Sequence, residues 1–343
     1  MTPGNDFDPA RYDFRGLHPD LCIGTASDRY AGWIGQIYSA EKYRGRISRR
    51  VNKVGAGSFR EEVLPVDSVT EYFEHFRVLE LDFTFYSMLL DDDGRPTRSF
   101  HVLSEYNACM KPQDRVFLKV PQAICAQKVR RAAGLVPNDD YLDAEKFRTR
   151  FLQPAQDLLG EKIKGFVFEQ EYQRAAGKIP APRLAENLDA FFSAVPPDNR
   201  YHFELRTEGY LVEPVFEVFE KHGVGQVLSH WTWLPTLEKQ FARAGRRFFN
   251  TGAQSLIRLM TPLGKRYEDA YAMAHPFDKI VEGMLQPRMI DETARLAMTG
   301  IARGIHMNII VNNRSGGNAP TIARQIAMSF LDLLRSGKSG APA

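Results

Sequence analysis

The 343-residue chain holds 43% hydrophobic and 25% charged residues with a formal net charge of +3, ordinary values that fit a globular protein and say little about partners. Its three cysteines, Cys22, Cys109 and Cys125, lack CxxC spacing, which excludes a disulfide framework or a cysteine zinc site. No apolar run reaches the roughly 18 residues of a membrane span. The polar segment 1–20, with Asp6, Asp8 and Asp13, lacks the apolar stretch of a signal peptide, so a cytoplasmic location is expected.

Short β-type runs then alternate with helical patterns. Leu21–Thr25 is the first predicted strand. A long connection follows, with a basic insertion at about 34–65. Val69, Tyr72, Phe73 and Phe76 have helical spacing, and Val78–Asp82 is the next strand. A helix carrying Val102, Leu103, Tyr106 and Met110 leads to a strand at Arg115–Val120. A helix over about 143–159 precedes a strand at Ile163–Glu169, and a helix opening at Pro182 precedes Tyr201–Arg206.

Val215, Phe216 and Phe219 mark a helix closed by His222-Gly223, and Val224–Ser229 is the sixth strand. Leu237 and Phe241 lie on a short helix before a strand at Ala253–Met260. After a long loop at 261–285, a helix over about 287–303 leads to the last strand, His306–Asn312. The final helix carries Ile322, Ile326, Phe330 and Leu333, and 336–343 reads as a disordered tail.

Eight strands alternating with eight helices predict a parallel sheet covered by helices, closed as a single (β/α)8 barrel over 21–335 with long loops after strands one and seven. An open doubly wound sheet is the competing topology.

Catalytic side chains of such barrels come from the C-terminal strand ends. In Tyr201–Arg206, alternation sets His202, Glu204 and Arg206 on one face and Tyr201, Phe203 and Leu205 on the other. The same parity test selects Glu80, Asp82, Lys119, Glu169, His230, Arg258 and Asn312. Buried charges without partners cost several kcal/mol each, so this ring reads either as a ligand site or as a salt-bridged structural layer.

Three further features fall on the same predicted face. Asn312–Asn318 joins the last strand to the last helix and suits an anion or an ordinary capped turn. Lys42, Arg44, Arg46, Arg49, Arg50 and Lys53 form a basic run that reads as a solvated, mobile loop or as a nucleic-acid contact. Tyr267, Tyr271 and His275 are candidate lid residues. HExxH, GxSxG and Walker A patterns are absent, and no metal or cofactor is expected.

Taken in order, Ile23-Gly24-Thr25 with Gly32-Trp33, Glu80 with Thr84-Phe85-Tyr86, Phe117-Leu118-Lys119-Val120-Pro121, Glu204-Leu205-Arg206, Arg258 with Tyr267, and Asn312-Asn313 resemble the YecE-like family, a domain of unknown function. The resemblance spans 21 to about 335 and implies a TIM barrel with a site but no defined reaction. Ser27-Asp28, Cys125-Ala126, Glu169-Gln170-Glu171 and the basic 40–60 stretch depart from the family pattern and mark a divergent member.

The principal expectation is a metal-independent enzyme (a hydrolase, lyase or isomerase) or a binder of a small phosphate- or carboxylate-bearing ligand. Glu80, Lys119 and Glu204 would be catalytic, and Thr25, Tyr86, Arg206, His230, Arg258, Tyr267 and Asn312 would hold the ligand. One alternative is a divalent-metal phosphoesterase on nucleic acid, ligated by Glu80, Glu169, Glu204 and His230, with Arg44, Arg46, Arg49 and Arg50 tracking phosphates. The other is a non-catalytic binding or scaffold protein.

Overall fold

In the computed structural model, eight parallel strands close into a barrel in the order β1-β12-β11-β10-β9-β8-β5-β4. They are β1 (Leu21–Ala26), β4 (Val78–Leu81), β5 (Arg115–Lys119), β8 (Ile163–Glu169), β9 (Tyr201–Glu204), β10 (Gly225–His230), β11 (Gln254–Leu259) and β12 (His306–Val311). The structure describes residues 11–131, 134–174 and 177–337. Most of the expected N-terminal segment (1–10) and tail (338–343) therefore lies outside the described residues. Within 11–20 the segment is not simply polar: Phe14 and Leu17 are buried, and Phe14 stacks on Phe76.

Each expected helix is present, most with a visible local cause. α2 (Val69–His75) buries Val69, Tyr72 and Phe73. α3 (Arg98–Cys109) is capped by the Thr97 hydroxyl. The helix expected over 143–159 is broken: α5 (Ala144–Phe147), capped by Asp143, passes through a π-turn at Arg148–Leu152 into α6 (Gln153–Leu159). Pro154 explains the wider turn, because it lacks an N–H and its ring crowds the preceding turn.

α7 (Ala181–Ala194) starts on Pro182, and α8 (Glu213–His222) ends at Gly223 in the left-handed conformation (φ 65°). α9 (Leu237–Arg243), α11 (Pro287–Ile301) and α12 (Ala319–Arg335) complete the set.

The loops hold elements that periodicity did not reveal. The second half of the basic run, Arg49, Arg50 and Lys53, is strand rather than loop, in an antiparallel hairpin of β2 (Ser48–Val54) and β3 (Gly57–Val63). A second hairpin pairs β6 (Lys128–Arg131) with β7 (Gly134–Pro137). Short helices α1 (Ala40–Tyr43) and α4 (Gln122–Cys125) follow β1 and β5, and α10 (Tyr267–Ala274) occupies the loop after β11.

The chain divides into two compact units. One comprises the chain up to Leu79, Leu228–Lys239 and the chain from Ser255 onward; the other comprises Glu80–Val227 and Gln240–Gln254. In the second, register sets the faces. Lys119 and His202 each pair with Val167, Glu169 pairs with Glu204, and Gly225 pairs with His202, so these residues share one side of the sheet. The opposite side packs on helices: Phe168 meets Phe191 and Phe192 of α7, and Phe203 meets Phe219 of α8. On the inner side Gly165 leaves room for Phe117, whose ring would lie 2.5 Å from an added Cβ.

Candidate functional site

The second unit carries a four-residue charged network built from strand ends. Glu169 closes β8 and Glu204 closes β9, and as register partners they place two carboxylates side by side. Such a pair needs cations, and β5 and the chain after β9 supply them. Lys119 Nζ lies 2.7 Å from Glu169 Oε2, Arg206 Nη1 lies 2.8 Å from Glu169 Oε1, and Arg206 Nη2 lies 3.4 Å from Glu204 Oε2. Two positive and two negative groups leave the quartet formally neutral.

The Lys119 and Arg206 side chains keep 10% and 12% exposure, Glu169 keeps 7% and Glu204 none. Both cations therefore retain a slight contact with solvent.

Phe85 completes this corner, its ring centroid 4.0 Å from Lys119 Nζ in a cation–π contact. The 3-10 turn Asp82–Tyr86 positions it. The Thr84 hydroxyl, 2.7 Å from the Lys119 carbonyl and 3.0 Å from the Leu81 carbonyl, ties that turn to the end of β5. Tyr86, in the same turn, is 76% exposed and sits edge-on to Phe85. Glu80, on β4 of the same unit, is fully buried.

The structure thus brings Lys119, Glu204 and Arg206 together and adds Glu169 and Phe85. Glu169 was readable from strand parity, whereas Phe85 was marked only by the family resemblance, because the turn after Leu81 resets the alternation.

The other expected residues lie in the first unit, and several have local tasks. Thr25 turns toward α2: its Oγ1 lies 3.0 Å from Tyr72 Oη, which also binds the Thr25 amide (2.9 Å) and donates to the Val78 carbonyl (2.9 Å). This hydroxyl pair fastens β1 to its covering helix. His230 falls on the other parity of β10 from Gly225 and Val227. Its Nδ1 lies 2.9 Å from the Thr261 carbonyl, and Gln286 and Glu292, at the start of α11, surround it. Burial lowers its pKa to about 4, so it is a neutral packed imidazole with its proton on Nδ1.

Arg258 is fully buried on β11. Tyr267 lies under the Arg314 guanidinium (4.4 Å) and receives a hydrogen bond from its Nη1 (3.4 Å). Asn312 caps the turn after β12 by accepting from the Arg314 amide (3.0 Å).

That turn was a candidate anion loop, yet the first amides of α12 are already bonded. Ala319 donates to Asn313 Oδ1 (2.8 Å), Thr321 to Asn318 Oδ1 (2.9 Å) and Ile322 to the Asn318 carbonyl (3.1 Å), while Pro320 has no N–H. Trp33 Nε1 donates to the same Asn313 Oδ1 (3.1 Å). The capped-turn reading holds here.

Much of the basic run is internally neutralised: Arg46 pairs with Asp67 (2.8 Å), Arg49 with Glu62 (2.9 Å) and Arg50 with Glu61 (2.7 Å). Glu61 also accepts from Asn52 Nδ2 (3.0 Å) and from the Tyr271 hydroxyl. Burial pushes the Glu61 carboxyl up, but these hydrogen bonds outweigh it and hold the group below the usual carboxylate range. Tyr271 and Ala274 of α10 pack with Val54, Phe277 and Met284, and Phe59 joins them. The expected lid residues therefore belong to a small core under the hairpin.

Among the described residues no group of three or more His, Cys, Asp or Glu side chains is arranged to hold a metal ion. Among them, too, no helix is long and apolar enough to cross a membrane.

Comparison with known proteins bears on fold and family. Residues 52–338 match the family model described as "Protein of unknown function DUF72". A DUF72 family protein from Thermotoga maritima aligns over 92% of this chain and 99% of its own, with 16% identity and a TM-score of 0.54. A DUF72 family protein from Enterococcus faecalis aligns over 91% and 95%, with 12% identity and a TM-score of 0.52. At these identities the likeness is one of fold. No curated protein matches the chain.

Proposed function

Since the chain belongs to the DUF72 family, a family of unknown function, we propose a role read from its own site: it binds a small phosphate- or carboxylate-bearing molecule through Lys119 and Arg206. Glu204 is the group placed to move a proton on that molecule, without a metal.

One observation supports this reading above the others. The Glu169 carboxylate occupies both cations at once, at 2.7 and 2.8 Å, as a ligand carboxylate or phosphate would. A buried ion-pair network is weak evidence of stabilisation, because well-packed apolar residues often serve as well. Its place at the strand ends, where barrels do their chemistry, favours a site. An arriving anion exchanges with Glu169. Arg206 then bridges the ligand and Glu204, which puts a carboxylate beside the bound molecule.

Calorimetric titration with inorganic phosphate, malonate and glycerol 3-phosphate tests the reading. Wild type binds at least one of them, and Lys119→Met and Arg206→Met each weaken that binding by about tenfold or more, the value of one lost charge-assisted contact. Equal binding by wild type and both variants, or none by wild type, defeats it. For an anion that binds and is turned over, Glu204→Gln keeps the affinity and loses the turnover.

A further inference from the structure

A second chemically equipped cluster lies at the strand starts of the first unit, whereas Lys119, Glu169 and Glu204 end their strands. Cys22 is the second residue of β1 and pairs in register with Asn308 of β12, so the two side chains share a face. His306, two residues before Asn308, shares that face, and its Nε2 lies 3.3 Å from Cys22 Sγ. Asn308 is fully buried. Its Nδ2 donates to the Ser255 carbonyl (3.1 Å), while its buried Oδ1 accepts no hydrogen bond. Cys22 is 6% exposed, and His306 beside it is partly exposed.

We propose that Cys22 is a hydroperoxide-reactive thiol. His306 Nε2 takes the S–H proton, and the thiolate sulfur attacks the nearer peroxide oxygen. The S–O bond forms as the O–O bond breaks; sulfur is oxidised by two electrons and the peroxide is reduced. The departing hydroxide or alkoxide recovers the proton from the imidazolium, leaving water or an alcohol and Cys22 as a sulfenic acid. Asn308 Oδ1, on the same face of the sheet, is the acceptor for the new S–O–H.

The other thiols provide contrast. Cys125 is buried against the Val120 carbonyl (3.9 Å), and burial pushes its thiol up. Cys109 is partly exposed on α3. The charged and titratable groups around the Cys22 end are His18 and Asp20 before β1, Arg303 before β12, and Arg77 before β4, which donates to the His18 and Pro19 carbonyls (3.3 and 3.4 Å).

The test follows iodoacetamide alkylation of the full chain, cysteine by cysteine, between about pH 5 and about pH 9. The inflection is the better readout, because a thiolate of lower pKa is also less nucleophilic. Cys22 should titrate at least about one unit below the ordinary 8.5 of a thiol, and His306→Gln should return it there. After hydrogen peroxide, dimedone should label Cys22 in preference to Cys109 and Cys125, and about tenfold less in His306→Gln, as expected when the paired base is lost. An inflection at or above 8.5 in wild type, an inflection unmoved in His306→Gln, or no dimedone adduct at Cys22 overturns the proposal. Should His306→Gln fail to fold, the wild-type inflection and adduct decide.

Discussion

Replacing Glu169 with alanine removes a carboxylate that bridges Lys119 and Arg206, whose side chains keep only 10% and 12% exposure. Breaking a buried pair on one side costs about 3–5 kcal/mol, because the remaining charge stays desolvated. Glu204, 3.4 Å from Arg206, offsets part of this, so the lower end, about 3 kcal/mol, is expected. Unfolding entropy of about 2.1 cal/mol/K per residue amounts to about 0.7 kcal/mol/K for 343 residues, and the melting temperature should fall by about 4 °C.

Formate then discriminates between causes. It is a carboxylate small enough for the vacated volume and should restore about half of the loss, whereas chloride at equal ionic strength should not, since formate alone offers two oxygens to the two cations. Urea unfolding of wild type and Glu169→Ala, with each salt, measures both effects. A loss under about 1 kcal/mol, the level of an exposed pair, or equal recovery in chloride, would refute the reasoning.

Two buried imidazoles predict acid sensitivity. Burial lowers the pKa of His202 and of His230 to about 4, while the unfolded chain titrates near 6.5. Above pH 6.5 both states are neutral; below it the unfolded chain takes up protons that the fold refuses, so stability falls as pH drops from 6.5 to 4. The loss is about 3 kcal/mol per histidine at 1.36 kcal/mol per unit, and His202→Gln should flatten the fall by roughly half in urea titrations at successive pH values. Tyr271→Phe removes the hydroxyl that donates to Glu61, at a cost of about 1.5–3 kcal/mol for a bond to a charged group. Hydrogen exchange should quicken in β2, β3 and α10 and stay unchanged in β8 and β9; uniform quickening would show that the hairpin does not open on its own.

The eight barrel strands were legible because their apolar residues alternate or run together between turn signals. The hairpin was not. Ser48–Val54 carries its charges on both parities, and only Phe59, Glu61 and Val63 of the partner strand alternate toward α10.

The network residues Lys119, Glu169 and Glu204 were legible as charged strand ends on the parity opposite Leu118, Phe168 and Phe203. The facing of a residue at a strand end is harder to read where both parities carry apolar side chains. β10 is apolar at positions on both parities, so nothing in Gly225–His230 marks His230 as facing α11; the Gly225–His202 pairing does. Thr25 entered through the family resemblance, and it takes the parity that faces Tyr72.

A crystal structure of the protein soaked in malonate tests the central claim most directly. A malonate carboxylate is expected within hydrogen-bonding distance of both Lys119 Nζ and Arg206 Nη1, with the Glu169 carboxylate displaced from them. Malonate absent from this position, with Glu169 still at 2.7 Å from Lys119 and 2.8 Å from Arg206, would contradict it.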